Sequence, residues 1–236
     1  MDPINYDEAV GRLAALGETP DPDLLDRTVE PLASAMRTDD PQGYAWFVIA
    51  VCDQLTSRDL GDWRRQDELV GKYARLALRQ ATVLPPAAEL HLLEHASAVP
   101  ANDRREFATR WLAVLGRLER ELDPAFDPED VPLLNVPVPG GGLAGVAAED
   151  VEDPVVRQRY ALAVAENEAH AQRYAAQVDV RGWLSRFRPP AQRFLVAAYA
   201  QSPDRAAELD GLLAEHQVAP DWAAAVRAAV RTQPRP

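Results

Sequence analysis

Apolar residues recur every three or four positions along most of this chain, which is the spacing that places them on one face of a helix. The segment 103–122 shows the pattern most clearly, because Phe107, Trp111 and Leu115 share one face while arginine and glutamate occupy the other. Proline and aspartate, which suit the first turn of a helix, open several of these segments. The pattern predicts helices in the first part of the chain at about 4–16, 22–36, 41–56, 59–81, 86–98 and 103–122.

The run from Tyr44 to Val51 is almost wholly apolar, and its β-branched and aromatic residues suit a buried strand as well as a helix. No second strand pattern lies nearby to pair with it. We therefore predict a central, fully buried helix, with Cys52 as a small buried hydrophobic residue. A single cysteine excludes an intramolecular disulfide and a zinc cluster built from cysteines.

The last part of the chain also carries helical spacing. From 154 to 178, apolar residues such as Tyr160 and Tyr174 belong to a stripe with 4,3,4,3,4 spacing, typical of a helix that packs lengthwise against a neighbour. Asn167 lies in this stripe, where it either fixes the register of paired helices or meets backbone or water. Shorter helices are predicted at about 180–187, 189–201, 203–216 and 220–231.

Residues 124–153 lack helical spacing and are rich in proline, glycine and acidic side chains. Apolar residues in this segment, Phe126 among them, are too frequent for a wholly solvated linker, so part of it is expected to lie along a helical groove. The segment Gly140–Gly145 is interpreted as a flexible joint. Neither a preceding strand nor a nearby lysine completes a phosphate-binding loop there.

The sequence thus predicts an all-α fold, an irregular multi-helix bundle in two helical parts joined by a long connector. The predicted divisions are an N-terminal helical domain at 1–123, the connector at 124–153 and a C-terminal helical module at 154–236. These parts carry net charges of −8, −7 and +3, which make up the −12 of the chain. Such an acidic chain is not suited to sequence-independent binding of nucleic acid or of an anionic membrane.

The N-terminus has no basic region followed by an apolar run, so the sequence shows no secretory signal. The longest apolar run, Tyr44 to Val51, is far shorter than the roughly 20 residues that cross a bilayer. A cytoplasmic location is therefore expected.

The segment HLLEH, which begins at His91, lies within a predicted helix and matches the pattern H-x-x-E-H. Residues four apart share a helix face, so His91 and His95 are candidate ligands of one zinc ion, with Glu94 as general base. The pentapeptide resembles the motif of inverzincin metallopeptidases of the pitrilysin and insulysin type. The resemblance implies zinc as cofactor and a glutamate as third ligand, roughly seventy residues downstream, where Glu166 and Glu168 lie.

We take Glu168 as the candidate third ligand. The alternative interpretation is that His91 and His95 are solvated or packed side chains on a helix surface, with no cofactor. In the peptidases, strands precede the motif helix, whereas no strand pattern precedes it here. The other two histidines, His170 and His216, stand alone on other predicted helices.

A further candidate is a set of four arginines within thirteen residues, interleaved with aromatic residues. The arginines are Arg181, Arg186, Arg188 and Arg193. Such a set forms either a nucleic-acid surface or, more simply, the solvated face of a short helix whose buried stripe is Trp183 and Phe187. If the patch binds a partner, we expect that partner to be an acidic protein surface. The acidic connector of this chain is one candidate.

The sequence contains no recognisable nucleophile arrangement, acid–base pair or cysteine motif. We therefore predict a non-enzymatic protein-interaction module, an adaptor or an acidic binder of a basic partner, as some bacterial immunity proteins are. The alternatives are a zinc-dependent hydrolase centred on His91 and His95, and a small-molecule sensor. The sensor would have a pocket between the helical parts, with Trp46 and Trp63 as candidate lining residues. No nucleic-acid or membrane partner is expected, and the sequence leaves the oligomeric state open.

Overall fold

A computed structural model describes residues 4–16, 21–57, 62–81, 84–96, 103–132, 150–200 and 203–232. These residues form nine helices and no strand, which confirms the predicted all-α fold. The helices are α1 (Tyr6–Ala14), α2 (Pro22–Asp39), α3 (Pro41–Ser57), α4 (Trp63–Gln80), α5 (Pro86–His95), α6 (Arg104–Glu121), α7 (Pro154–Tyr199), α8 (Pro203–Glu215) and α9 (Pro220–Thr232). None of these described helices is long and apolar enough to cross a membrane.

The chain forms two compact units. The first contains residues 1–117 and 186–236, and the second contains residues 118–185. Helix α7 therefore contributes residues to both units. The predicted domain boundaries at 123 and 153 stay a prediction, because residues 133–149 of the connector, with the glycine-rich joint, lie outside the described residues.

Helix α3 forms the centre of the first unit. It contacts α1, α2, α4 and α5, and its side chains Phe47 and Val51 have no exposed surface. The predicted buried central helix is thus confirmed, except that Trp46 remains 38% exposed, on a strip that the neighbouring helices leave uncovered. The Cys52 thiol lies 3.8 Å from the Val70 carbonyl oxygen, and burial raises its pKa, so it behaves as a small apolar side chain.

Helices α2 and α4 run parallel to each other. Three contacts progress in the same direction along both helices: Asp23 with Arg65, Asp26 with Lys72, and Arg37 with Gln80. This order follows from the short connections between α2, α3 and α4, which make consecutive helices antiparallel. A groove therefore runs between α2 and α4, lined also by Tyr44 of α3.

Asp40 joins helices α1 and α3 at their N-termini. Its carboxylate accepts hydrogen bonds from the backbone N–H of Gly43 at 2.9 Å and of Tyr6 at 3.2 Å, so one side chain serves two helices. Gly43 has no space for a side chain, because a Cβ there would collide with the Asp40 carboxylate and press on Tyr6. Asp39 accepts a hydrogen bond from the N–H of Ile4 at 3.2 Å and holds the residues that precede α1.

Helix α7 is longer than the sequence predicts. The prediction of three helices between 154 and 201 is wrong, because residues 154–199 form one continuous helix. Pro189 and Pro190 lie inside this helix and remove the N–H donors that would bond to the carbonyls of Ser185 and Arg186. An interior proline costs a helix about 3 kcal/mol, so another contribution has to hold the helix together here.

Burial on the C-terminal side of the prolines explains why the helix continues. Phe187, Ala191 and Leu195 have no exposed surface in the first unit. Burial of one large apolar side chain contributes about 1.5–3 kcal/mol, which is of the size needed to offset the missing hydrogen bonds. The prolines follow directly on the point where α7 passes from one unit to the other, since that boundary lies between Ser185 and Arg186.

The second unit contains the end of α6, the described start of the connector and the first two-thirds of α7. Gln177 of α7 donates to the carbonyl of Glu121 at 2.9 Å and accepts from the N–H of Asp123 at 2.8 Å. Tyr174 donates its hydroxyl hydrogen to the carbonyl of Pro128 at 2.9 Å. These contacts place the described start of the connector along α7.

Candidate functional site

His91 of the H-x-x-E-H segment packs against the last part of α7. Its ring meets the Phe187 ring edge-on, with the ring centroids 5.0 Å apart. Burial lowers the pKa of His91, and the nearby Arg186 guanidinium lowers it further. The imidazole is therefore held in its neutral form, which suits packing against an aromatic ring and is also the form that binds metals.

Glu94 and His95 contact side chains of other helices. A carboxylate oxygen of Glu94 lies 3.7 Å from the guanidinium of Arg186 on α7. His95 Nε2 lies 3.1 Å from a carboxylate oxygen of Asp53 on α3. In this arrangement the segment joins α5 to two neighbouring helices of the first unit.

The predicted zinc site draws its ligands from both units. His91 and His95 belong to the first unit, and Glu168 belongs to the second. Among the described residues, no group of three or more histidine, cysteine, aspartate or glutamate side chains is placed to hold a metal ion. A catalytic zinc ion needs three protein ligands. The set of His91, His95 and Glu168, with Glu94 as the base, therefore stays a prediction.

The arginines of the predicted patch also divide between the units. Arg181, in the second unit, lies 4.7 Å above the Phe126 ring and donates to the Phe126 carbonyl at 3.2 Å. Arg186 and the exposed Arg193, in the first unit, are seven residues apart and share a face of α7. The half-buried Arg188 lies on another face. A shared binding role for the four arginines stays a prediction.

Trp63 has the largest exposed fraction, 70%, among the large apolar side chains of the described residues. It stands at the start of α4, beside a cavity of about 600 Å³ where the C-terminal end of α3 meets the N-terminal end of α4. Leu55 and Val70, which are both buried, form its apolar floor, and Asp67 adds an exposed carboxylate to its wall. The cavity thus has an aromatic lip, an apolar floor and a negative edge.

The cavity is framed by α3 and α4, which follow the acidic start of the chain. Residues 1–68 carry 15 acidic and 6 basic side chains, so their net charge is −9. Two of these basic residues lie close to the cavity. Arg65 forms an ion pair with Asp23 at 3.1 Å, and Arg64 lies 5.4 Å from the centre of the Trp63 ring. The charges at the cavity itself are mixed, since α3 and α4 together carry three acidic and five basic side chains. A preference for a positively charged partner therefore comes from the net charge of −12 of the whole chain.

Trp46 lines a second cavity, of about 560 Å³. Tyr6 of α1 and Pro85, which directly precedes α5, extend its aromatic and apolar wall. Asp40 lies at the end where α1 and α3 begin. Trp46 and Trp63 thus line two different cavities, and both cavities lie within the first unit.

A third cavity, of about 190 Å³, lies in the groove between α2 and α4. Lys72, the one lysine of the sequence, lines it with its Nζ 2.9 Å from Asp26, and Arg37 donates to Gln80 at 2.7 Å. Burial alone would raise the pKa of Asp26, but hydrogen bonds from Tyr73 and Lys72 outweigh it and lower that pKa. The charges are satisfied within the protein, and the volume is below the roughly 300–1,000 Å³ of small-molecule sites. We interpret this groove as a structural contact.

Asp40 and Tyr6 are site residues that the sequence does not reveal. The pair Asp40-Pro41 predicts the start of a helix and no more, and Tyr6 belongs to no recognisable motif. The two lie 34 positions apart and meet because α1 packs on α3. The one signal in the sequence was Gly43. Glycine lowers the stability of a helix, so its presence there indicates that another group approaches the backbone closely.

No protein-family model, no curated protein and no solved structure matches this chain. The cavities lined by Trp63 and Trp46 both have the size of ligand sites.

Proposed function

We propose that this protein is a non-enzymatic protein-interaction module that binds a basic segment of a partner protein. The binding site is the Trp63 surface, which consists of Trp63, Leu55, Val70 and Asp67. The observation that carries the proposal is the exposed Trp63 ring beside a cavity with a buried apolar floor. Tryptophan is enriched in the buried centre of protein–protein interfaces, so we take this exposed ring as the anchor of a partner surface.

The Trp63 side chain supports this proposal energetically. Tryptophan is enriched among the few residues that dominate interface affinity, and truncation of such a residue costs at least about 2 kcal/mol. Leu55 and Val70 already form an apolar floor. An aliphatic side chain of the partner can therefore enter the cavity and pack against this floor and the indole. The affinity then comes from burial of apolar surface and does not require rearrangement of α3 or α4.

The net charge of −12 and the Asp67 carboxylate at the cavity support a basic partner. Opposite charges on two proteins accelerate their association and exclude partners of like charge. Salt screens this attraction, with a Debye length of about 10 Å at 0.1 M ionic strength. We therefore expect binding to weaken as the salt concentration rises, while the apolar contribution of Trp63 persists.

Selection from a displayed library of random peptides, with the full chain as bait, tests the proposal. We expect the enriched peptides to combine several arginine or lysine residues with one apolar anchor. For such a peptide, Trp63→Ala should raise the Kd at least about 10-fold. Asp67→Asn should raise it less and should reduce its dependence on salt, because it removes one charge and little surface.

Leu162→Ala is the matched control, since it removes an apolar side chain that is 59% exposed on α7 in the second unit. This variant should bind the selected peptide as the parent does. Enrichment of neutral or acidic peptides would contradict the proposal. Equal affinity of Trp63→Ala and the parent would contradict it as well.

A further inference from the structure

The cavity beside Trp46 shares no lining residue with the Trp63 surface. We name it the Trp46 cavity and define it by its lining residues, which are Tyr6, Asp40, Gln42, Gly43, Trp46 and Pro85. Its volume of about 560 Å³ falls in the range of roughly 300–1,000 Å³ that is usual for small-molecule sites. It therefore has room for a ligand of its own.

The chemical character of this lining favours a cation. Of the described residues that form it, none is basic, two are aromatic and one, Asp40, carries a carboxylate. The faces of tyrosine and tryptophan rings attract organic cations, and a nearby carboxylate adds a direct charge interaction. Residues 1–68, which supply five of the six lining residues, carry a net charge of −9, and this lowers the energy of a positive ligand further.

The Asp40 carboxylate is held in place before any ligand arrives. It accepts the backbone N–H of Gly43 at 2.9 Å and that of Tyr6 at 3.2 Å, and it occupies the space that a side chain at position 43 would take. A side chain fixed in this way does not have to be ordered on binding, so the conformational cost of binding is small.

Helix capping explains Asp40, but it does not explain Trp46. The run from Tyr44 to Val51 is otherwise largely buried, and smaller residues occupy several of its positions. Trp46 nevertheless keeps 38% of its surface exposed and lines the same cavity as the carboxylate. An exposed indole on the central helix, beside a fixed carboxylate and a second aromatic ring, has the composition of an organic-cation site.

We infer that the Trp46 cavity binds a small organic cation with an alkylated ammonium head group, held between Trp46, Tyr6 and Asp40. A metal ion would need several oxygen or nitrogen ligands, whereas Asp40 is the one carboxylate among the described lining residues. The volume also exceeds what a bare ion requires. This site goes beyond the proposed partner surface, because it concerns a different cavity and a different class of ligand.

Titration with choline, followed by calorimetry and by tryptophan fluorescence, tests the inference. The comparison probe is the uncharged isostere of choline, in which carbon replaces the quaternary nitrogen. We expect choline to bind saturably to one site, and the neutral isostere to bind at least about threefold more weakly. Equal binding of the two probes, or no saturable binding of choline, would overturn the inference.

Two variants locate the site. Asp40→Asn removes the charge and keeps one of the two acceptor oxygens, so it retains one of the two hydrogen bonds to the helix N-termini. Circular dichroism checks that this variant is folded, and its affinity for choline should fall. Trp46→Ala should lower the affinity about 10-fold, and Trp46→Phe should retain part of it. If neither Asp40→Asn nor Trp46→Ala changes the affinity, the inference is wrong. Trp63→Ala should leave choline binding unchanged, which keeps this test independent of the partner surface.

Discussion

The two units hold their helices in place by different means. In the first unit, α3 is surrounded by other helices, and Phe47 and Val51 have no exposed surface. In the part of α7 that belongs to the second unit, the buried residues are Tyr160, Val180 and Leu184. Burial of side chains therefore stabilises the first unit, whereas the described part of the second unit has fewer buried residues and several polar contacts to the backbone.

Similar spacing of apolar residues thus leads to unequal burial. The stripe on α6 includes Phe107 and Trp111, which are almost completely buried. The stripe on α7 has equally regular spacing, yet Val178 at its end is 43% exposed. Spacing decides which residues share a face of a helix, and the neighbouring elements decide whether that face is covered.

The largest expected effect comes from the core of the first unit. Phe47→Ala should lower the free energy of unfolding by about 3–5 kcal/mol, because it leaves a cavity at the centre of α3. Leu162→Ala on α7 should change it by less than about 0.5 kcal/mol, since that side chain is largely exposed. Urea unfolding followed by circular dichroism measures both. Similar losses for the two variants would remove the difference between the units.

The second prediction concerns the prolines of α7. Replacing Pro189 and Pro190 with alanine should raise the free energy of unfolding by up to about 3 kcal/mol, because both missing hydrogen bonds are restored. Hydrogen exchange should show greater amide protection in the turns around these positions. Pro154→Ala is the control, since a proline in the first turn costs little. An unfolding free energy no higher than that of the parent would contradict this account of the helix.

The third prediction tests a polar contact inside the first unit. Asp26→Asn should lower the free energy of unfolding by about 1–2 kcal/mol at neutral pH, because it weakens the contacts to Lys72 and Tyr73. The pKa of folded Asp26 is lowered, so its stabilisation is present above the unfolded pKa and is lost as the pH falls through the folded pKa. The difference between parent and variant should therefore shrink below about pH 4. If the difference in unfolding free energy between the parent and Asp26→Asn stays constant over this pH range, the carboxylate of Asp26 does not stabilise the fold through its charge.

The smallest expected effect concerns the contact between α5 and α7. The pKa of His91 is lowered in the folded protein, so the unfolded chain takes up this proton more readily as the pH falls. The stabilisation is present above the unfolded pKa and is lost as the pH falls from about 7 toward 5. His91→Gln should make the unfolding free energy less dependent on pH in this window. If the unfolding free energies of His91→Gln and the parent depend on pH to the same extent, the packing against Phe187 does not favour the neutral imidazole.

Most of the fold was predictable, because the signals for helix ends are local. Proline and aspartate at the starts of α2, α3, α8 and α9, together with the spacing of apolar residues, predict these helices within a few residues of their observed bounds. The single helix α7 was not predictable in the same way. The local sequence at Pro189 and Pro190 predicts the end of a helix. Burial of Phe187 and Leu195 offsets this effect, and that burial depends on other parts of the chain.

The candidate sites were predictable only in part. The sequence singles out Trp46 and Trp63 as aromatic lining residues, and the structure places each at a cavity. It does not indicate that Tyr6 and Asp40 share the cavity of Trp46, because their proximity depends on the packing of α1 against α3. Nor does it show which partners His91 and the other residues of its segment have.

The sequence by itself determined the helical class, most helix bounds and the acidic character of the chain. These depend on capping, helix propensity and charge, which act within a few residues or do not depend on conformation. The tertiary structure alone decided which apolar faces are covered, that α7 continues through its two prolines, and that Asp40 meets Tyr6 beside Trp46. Burial decides such features, and burial depends on residues far apart along the chain.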